Sequence, residues 1–137
     1  MHGYSTTPLA RKLGIKEGNR LLLVHAPNHY FELFEDFPEN VENTTRSATD
    51  ESIDFIHLFC YSIHILEQEV LELIPLLVKN GMLWVSWPKG SSSIKTDLNR
   101  EGVRDYLLQH TPLVDIKVAA IDADWSALKF VYRKEHR

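Results

Sequence analysis

Short apolar runs alternate with amphipathic stretches along this chain. Three of the runs are almost continuously apolar, as expected of strands buried on both faces of a parallel sheet: 21–24, 53–59 and 82–87. Between the second and third runs, Leu66, Val70 and Leu73 recur at the spacing of one helical face. Ser62 precedes them and can cap that helix. The alternation of strand and helix patterns is typical of an α/β fold.

Turn-forming residues mark the ends of the predicted helices. Pro8 and Gly14 frame a short first helix, with Thr7 as its cap. Asn80–Gly81 is predicted to end the second helix in the left-handed conformation, after a bend at Pro75. The third strand then starts directly after this turn.

The last part of the chain predicts a helix followed by a hairpin. An apolar pattern at 103–107 marks the third helix. Two further runs, 114–121 and 125–132, are separated by only three residues. Such a link is too short for a parallel crossover, so these two runs are predicted to pair as an antiparallel hairpin.

The chain length of 137 residues is that of one domain. We therefore predict a single α/β domain over 1–137. It is expected to be a three-layer sandwich in which helices cover both faces of a mostly parallel five-stranded sheet that ends in the hairpin. The segment 39–52 is acidic and rich in Asn and Thr, and it is predicted to be a surface loop.

The formal net charge of −4 bears on the class of partner. Affinity for nucleic acid comes largely from Lys and Arg that neutralise phosphates, so a role in holding nucleic acid is not expected. The charge is also unevenly distributed. Between Glu32 and Glu51 there are seven carboxylates and one cation, Arg46, and this stretch is predicted to be solvated surface.

The apolar runs are all too short to cross a membrane, because a spanning helix needs about 20 residues. The amino terminus lacks the positive start and apolar stretch of a secretion signal. The single cysteine, Cys60, cannot form an intrachain disulfide. These features predict no membrane partner and a cytoplasmic location.

A ligand site is predicted at the carboxyl ends of the parallel strands, because the loops after such strands meet at one edge of the sheet. Lys89 and Lys95 flank a Gly and Ser loop that can direct N–H groups and hydroxyls towards a small anionic ligand. The candidate contact residues are His25, Tyr61, Trp87, Lys89, Ser91 and Lys95. In the alternative interpretation the loop is merely solvated, and Thr96, Asp97 or Asn99 caps the next helix.

Histidine and cysteine form no complete metal or catalytic motif. Adjacent first and second strands would bring His25 close to His57 or Cys60. Zinc, however, needs three or four converging ligands, and no further residue completes such a set. Cys60 could face the same crevice as a nucleophile, although buried Cys is more often a small apolar side chain. We therefore predict no metal site and no catalytic residue.

The order of strands and helices, with the Leu-Val-Lys-Asn-Gly-Met-Leu turn into the third strand, resembles the carboxyl-terminal half of the Rossmann-like class I methyltransferase fold. The resemblance implies the spatial order one, two, three, five, four, with strand four antiparallel and the others parallel. Those enzymes bind S-adenosylmethionine with a Gly-rich loop after strand one, whereas 25–30 contains no glycine. The interval 30–53 is also too short and polar for the helix, strand and helix that deliver an acid to the ribose. No cofactor is therefore expected in the usual mode.

Several short motifs in fixed order point to one family. They are the segments 3–5, 7–10, 13–16, 84–89, 96–98, 114–118 and 125–130. Together they resemble the bacterial domain-of-unknown-function family number three-zero-five-two. Its members usually have Asn-Ala-Pro after strand one, where this chain has His25-Ala26-Pro27. That family has no assigned activity, so the resemblance implies relatives but no reaction.

Three functions compete on these observations. A non-catalytic domain that binds a small molecule or anion is favoured, because the crevice has candidate cations and no complete catalytic motif. The alternatives are a degenerate S-adenosylmethionine-dependent methyltransferase-like enzyme and a protein-interaction domain. The acidic, aromatic stretch 30–42 is the surface that a protein partner would use.

Overall fold

The computed structural model describes residues 8–137, which form one mixed sheet with helical segments on both faces. The predicted cap Thr7 and the motif at 3–5 lie outside the described residues. The helices are α1 (Leu9–Leu13), α2 (Ile63–Leu73) and α3 (Arg100–His110). The strands are β1 (Arg20–Val24), β2 (Glu42–Asn43), β3 (Ile53–Phe59), β4 (Leu77–Pro88), β5 (Leu113–Ala120) and β6 (Trp125–Tyr132). Short 3-10 turns occupy Tyr30–Leu33, Ile74–Leu76 and Lys134–His136.

The six strands lie in the order β2-β1-β3-β4-β6-β5. β1 pairs in parallel with β2 and β3, and β3 pairs in parallel with β4. β6 is antiparallel to both of its neighbours, β4 and β5. The Rossmann-like α/β architecture, the terminal hairpin and the spatial order of the five predicted strands are thereby confirmed.

The predicted directions of the last two strands were wrong. Strand four of the prediction is β5, which runs parallel to β4, and strand five is β6, which is the antiparallel strand. The crossover from β4 through α3 is long enough for a parallel connection, whereas the short link from β5 to β6 forces a reversal. The returning strand fills the space between β4 and β5.

A sixth strand, β2, lies within the predicted acidic loop 39–52 and corrects the expected count of five. It has two residues, which pair with the amino-terminal end of β1 in the register Arg20↔Glu42 and Leu21↔Asn43. Both of its residues are exposed. A pairing of this length leaves no periodic pattern in the sequence, which is why the prediction missed it.

The end of α2 also differs from the prediction. The helix stops at Leu73, because Pro75 has no N–H to donate, and β4 already begins at Leu77. Gly81 therefore lies in a strand and is not a left-handed helix stop. The ladder between β3 and β4 is irregular here, since Ile53 pairs with Leu77 while Phe55 pairs with Met82.

Each face of the sheet has its own core. On one face α2 and α3 bury Leu66, Val70, Leu73, Val103 and Leu107 completely. The other face is covered by α1 and by the stretch 30–37, which we call the aromatic segment. The three layers were predicted correctly. Within residues 8–137, no helix is both long enough and apolar enough to cross a bilayer.

Candidate functional site

The loops that follow the parallel strands meet at one edge of the sheet. This carboxyl edge comprises 25–29, 60–62, 89–99 and 121–124. Thr96 Oγ1 donates to the Tyr61 carbonyl at 2.7 Å, and the Ile63 N–H donates to Asp97 Oδ1 at 2.8 Å. The cap of α3 is Asn99, which accepts from the Gly102 N–H. The long loop after β4 is therefore tied to the loop after β3, and it is not merely solvated.

His25 contacts a carboxylate at this edge. Its φ of +58° is a left-handed conformation, which is uncommon outside glycine. Nε2 of His25 lies 2.5 Å from Oε2 of Glu69 on α2. The other oxygen of Glu69 lies 2.6 Å from Nη1 of Arg46, in the loop between β2 and β3. Three separate segments of the chain thus hold an imidazole, a carboxylate and a guanidinium together.

The two members of this His25–Glu69 dyad differ in exposure. The His25 side chain is 53% exposed, whereas that of Glu69 is 13% exposed. The hydrogen bond from Arg46 lowers the pKa of Glu69, and the bond from His25 lowers it further against the effect of partial burial. The carboxylate is therefore ionised near neutral pH. A carboxylate bound to one imidazole nitrogen orients the ring and leaves the other nitrogen for a substrate.

A second histidine ties the same loop to the hairpin. Nε2 of His29 lies 3.3 Å from Oδ2 of Asp122, and the other oxygen of that carboxylate accepts from the N–H groups of Asp124 and Trp125. His29 is half exposed, at 50%. The loop after β1 is therefore anchored by His25 to α2 and by His29 to the β5–β6 connection.

Besides His25, four of the six predicted ligand residues lie in the loops of the carboxyl edge. All four are exposed or partly exposed. Tyr61 is 54% exposed, and Ser91 and Lys95 are also exposed. Lys89 is partly buried, and its N–H donates to the Asp124 carbonyl at 2.7 Å. A role for these residues in ligand contact stays a prediction.

Trp87 is the predicted residue that does not lie on the open surface. It is 6% exposed and belongs to the core that α2 and α3 cover. β4 residues alternate between the two faces of the sheet, and the register that buries Trp84 under α1 turns Trp87 towards α3. Trp84 Nε1 donates to the Leu13 carbonyl at 2.7 Å, which fixes that register.

His57 lies in a buried polar network and does not join His25. Its Nδ1 lies 2.9 Å from the Tyr30 hydroxyl, and its Nε2 lies 2.7 Å from Oγ of Ser86. The ring is completely buried and stacks on Phe59. Burial lowers the pKa of His57 to about 3, so the imidazole is neutral. A neutral ring that accepts at one nitrogen and donates at the other matches two hydroxyl partners.

Cys60 is buried at the end of β3. It is 1% exposed, and its Sγ lies 3.6 Å from the Ser86 carbonyl oxygen. Burial, together with the nearby charge of Glu69, raises the pKa of this thiol to about 12. The thiolate that a nucleophile requires is therefore disfavoured, and Cys60 behaves as a small apolar side chain.

The sequence gives no signal that pairs Glu69 or Arg46 with His25. Glu69 is one of several acids on the polar side of α2, and Arg46 is a lone cation in an acidic loop. Only the tertiary fold brings them to the end of β1. The left-handed conformation at His25 could not be predicted from the sequence either, because glycine is its usual signal and the loop has no glycine.

The site differs from a glycine-loop cofactor site in three respects. The loop after β1 has no glycine, and only the four-residue 3-10 turn Tyr30–Leu33 follows it where a full helix would be expected. The acid of β2, Glu42, lies at the amino-terminal end of β1 and forms an ion pair with Arg20 at 3.5 Å. Within residues 8–137, no group of three or more His, Cys, Asp or Glu side chains is arranged to hold a metal ion.

Comparison with known proteins identifies a fold but no family. No family model matches the chain, and no curated protein sequence matches it. Membership of family three-zero-five-two therefore stays a prediction. Solved structures do match, and their similarity to this chain lies in the course of the backbone.

Three of these structures illustrate the likeness. A SAM-dependent methyltransferase from Aquifex aeolicus is 11% identical with a TM-score of 0.57, and the match covers 89% of this chain and 86% of that one. The fibrillarin pre-rRNA processing protein of Methanococcus jannaschii is 11% identical with a TM-score of 0.52, over 85% and 67% of the two chains. A 30S ribosomal A1408 methyltransferase from an uncultured bacterium is 9% identical with a TM-score of 0.50, over 91% and 92%. The chain therefore has a class I methyltransferase-like, Rossmann-like fold.

Proposed function

We propose that this protein is a degenerate methyltransferase-like enzyme, which handles a small molecule at the carboxyl edge and uses His25 as an acid–base group. The observation that carries the proposal is the His25–Glu69 dyad at the end of β1. Solved structures with this fold include methyltransferases, and this analogy of fold favours an enzyme over a plain binding module. The proposal thus replaces the non-catalytic function that the sequence favoured.

The chemistry of the dyad is proton transfer. Because Nε2 of His25 donates to Glu69, the ring nitrogen Nδ1 is the basic one, and it can accept a proton from a substrate hydroxyl, amine or thiol. Glu69 would stabilise the imidazolium that forms, and Arg46 keeps Glu69 ionised. Tyr61, exposed at the end of the neighbouring strand β3, would contact the bound molecule.

We do not propose that this protein binds S-adenosylmethionine through a Gly-rich loop. A Gly-rich loop lets a cofactor approach the backbone, and here His25 places a side chain where that approach would occur. We therefore expect no saturable heat when S-adenosylmethionine is titrated up to submillimolar concentration in a calorimeter. A low-micromolar dissociation constant would show instead that the protein is a cofactor-dependent methyltransferase.

The test of the proposal is a ligand screen followed by mapping. Nucleotides, S-adenosylmethionine, sugar phosphates and small carboxylic acids would be screened by thermal shift, since a ligand at a hundred times its dissociation constant adds about 2.7 kcal/mol. Chemical shifts should then change at His25, Tyr61 and Lys89. Changes confined to the helix faces would contradict the proposed site.

Variants separate catalysis from binding once a ligand is known. His25→Asn removes the imidazole but keeps a residue type that tolerates the left-handed backbone. We expect this variant to bind the ligand and to lose turnover by roughly 10²-fold or more, as for the loss of a general base. Unchanged turnover would remove His25 from the mechanism.

A non-catalytic anion-binding function is the second candidate, favoured by the lysines of the loop after β4. No carboxylate oxygen in the described part of the chain lies within 4.0 Å of the ammonium groups of Lys89 and Lys95. This function predicts that Lys89→Ala weakens binding, whereas His25→Asn changes nothing. The two variants together therefore distinguish the candidates.

A further inference from the structure

Three lysines lie close together on the α1 face of the sheet, away from the carboxyl edge. Lys117 on β5 and Lys129 on β6 are direct cross-strand partners, and both lie on the face that α1 covers. Lys16, in the turn between α1 and β1, is close enough to act on the same charges. We call these residues the lysine cluster. Like charges placed directly opposite each other in a sheet are destabilising, so the arrangement calls for an explanation.

The described residues place no carboxylate in contact with the lysine cluster. No carboxylate oxygen in the described range 8–137 lies within 4.0 Å of any of the three ammonium groups. Residues 1–7 contain neither Asp nor Glu. Burial lowers the pKa of Lys129, and repulsion from Lys117 and Lys16 lowers it further. The cations gather in this way although the chain as a whole carries a net charge of −4.

The positions of two lysines are fixed by the fold. Nζ of Lys117 donates to the Lys12 carbonyl at 2.9 Å, at the carboxyl-terminal end of α1. Nζ of Lys129 lies beside Gly14, at 3.5 Å from the position that a Cβ of this residue would take. Gly14 has a φ of +88°, so the chain turns sharply at the end of α1, close to the partly buried Lys129 and the exposed Lys117.

A groove of about 430 Å³ continues from this cluster between α1 and the aromatic segment. Gly14 and Lys16 belong to its wall and connect it to the cluster. The remaining lining residues are Pro8, Ala10, Arg11, Ile15, Asp36, Phe37 and Pro38. The volume is in the range of small-molecule sites, which commonly span about 300–1,000 Å³ and combine apolar walls with a few charged groups.

We propose that the lysine cluster and this groove form a binding site for a small phosphate-bearing molecule, distinct from the site at the carboxyl edge. A multivalent phosphate would offset the repulsion between the lysines, and Lys16 and Arg11 would extend the charge into the groove. Ile15, Phe37 and Pro38 offer an apolar wall to the remainder of the ligand. The concave shape and small volume favour a small molecule over an extended polyanion.

The experiment is a calorimetric titration with inorganic pyrophosphate at constant ionic strength, adjusted with sodium chloride. The wild-type protein should give a saturable heat. Lys16→Gln, an exposed position, and Lys129→Met, which preserves the apolar stem, should each raise the dissociation constant roughly tenfold, as expected when a charge-assisted hydrogen bond is lost. Lys134→Gln is the matched control, because it removes one exposed lysine in the 3-10 turn Lys134–His136, outside both candidate sites, and should leave the constant unchanged.

Three results would overturn the proposal. They are the absence of saturable heat with the wild-type protein, wild-type affinity in both cluster variants, and an equal loss in Lys134→Gln, which would indicate attraction by overall charge. A melting curve for each variant checks folding. If Lys129→Met is unstable, the exposed Lys16→Gln variant decides the question by itself. Failure of His25→Asn to affect turnover would leave this site untouched, because the two sites share no residue.

Discussion

The two faces of the sheet are built differently. On one face two helices of eleven residues each, α2 and α3, bury a continuous layer of leucine and valine side chains. On the other face a five-residue helix, α1, and the aromatic segment cover a smaller core that contains a buried histidine. The first layer is stabilised by apolar packing, whereas the second combines ring contacts with hydrogen bonds among Tyr30, His57 and Ser86.

The two faces also contribute differently to the topology. The α2–α3 face carries the crossovers that join β3 to β4 and β4 to β5, so it determines the methyltransferase-like topology. On the opposite face, only the four-residue 3-10 turn Tyr30–Leu33 lies between β1 and β2. The methyltransferase-like topology therefore depends on the α2–α3 face, while the loop that follows the first strand carries histidine side chains and no glycine.

The largest effect is expected from a truncation on the α2–α3 face. Leu73→Ala removes a completely buried side chain and should lower the free energy of unfolding by about 2–5 kcal/mol. Leu71→Ala is its control, because Leu71 lies on the same helix and is 52% exposed, so its loss should stay within about 0.5 kcal/mol. Urea midpoints of the two variants measure the difference. Equal midpoints would mean that α2 does not pack as described.

Individual strands and helix caps are the features that the sequence predicted best. Predicted and observed bounds agree for β3 and β6, and Ser62 caps α2 through the Ile65 N–H as expected. These features are local, since apolar runs and a capping hydroxyl act within a few residues. The error at Asn80–Gly81 has a local cause as well, because Pro75 and an Asn-Gly pair both signal a helix end and the earlier signal prevailed.

The candidate site was much less predictable. The positions of the loops that contain His25 and Lys89 follow from the rule on strand ends, but Glu69, Arg46 and Asp122 join them only through tertiary contacts between distant segments. The burial of Trp87 depends on strand register, which alternates sides at each residue and which a single sequence does not fix. Local patterns therefore predicted which edge of the sheet carries the candidate site, but not which side chains interact there.

The second-largest loss of stability is expected at Gly81, where the pairing between β3 and β4 is irregular. A Cβ at Gly81 would lie 2.9 Å from the Asp54 carbonyl oxygen and 2.8 Å from Leu77 Cδ1, so Gly81→Val should cost about 1–3 kcal/mol through overpacking. The expected cost comes from the close approach of these atoms to Gly81, whose φ is not positive. Gly90→Val is the control, because a Cβ there meets nothing within 4 Å. A Gly81→Val midpoint as high as that of Gly90→Val would contradict the close approach.

The α1 face should respond to pH. His57 is neutral in the folded protein because burial lowers its pKa to about 3, whereas an unfolded histidine has a pKa of about 6.5. Below pH 6.5 the unfolded chain binds a proton that the folded one does not, so stability should fall as pH falls from 6.5 towards 3. The slope approaches about 1.4 kcal/mol per pH unit. Above pH 7 the contribution is constant.

Urea unfolding between pH 7.5 and 5 measures this slope without interference from Glu69. Because the pKa of Glu69 is lowered in the folded protein, its contribution is lost as pH falls from about 4.3, the pKa of an unfolded Glu, towards the lower folded value. His57→Gln, which keeps a donor and an acceptor for Tyr30 and Ser86, should flatten the slope, whereas His64→Gln at an exposed position should not. Parallel slopes for wild type and His57→Gln would contradict the buried neutral imidazole.

The smallest effect on stability is expected at the carboxyl edge, where the two faces meet. Lys89→Ala should change the free energy of unfolding by less than about 0.5 kcal/mol, because its ammonium group has no carboxylate within 4.0 Å among residues 8–137. The backbone bond from Lys89 to Asp124 does not depend on the side chain and is retained. For an anionic ligand at this edge the same variant should lower affinity by roughly 1–3 kcal/mol. Melting temperature and dissociation constant, measured on one preparation, compare the two quantities, and a large loss of stability would mean that Lys89 supports the fold and does not act in binding.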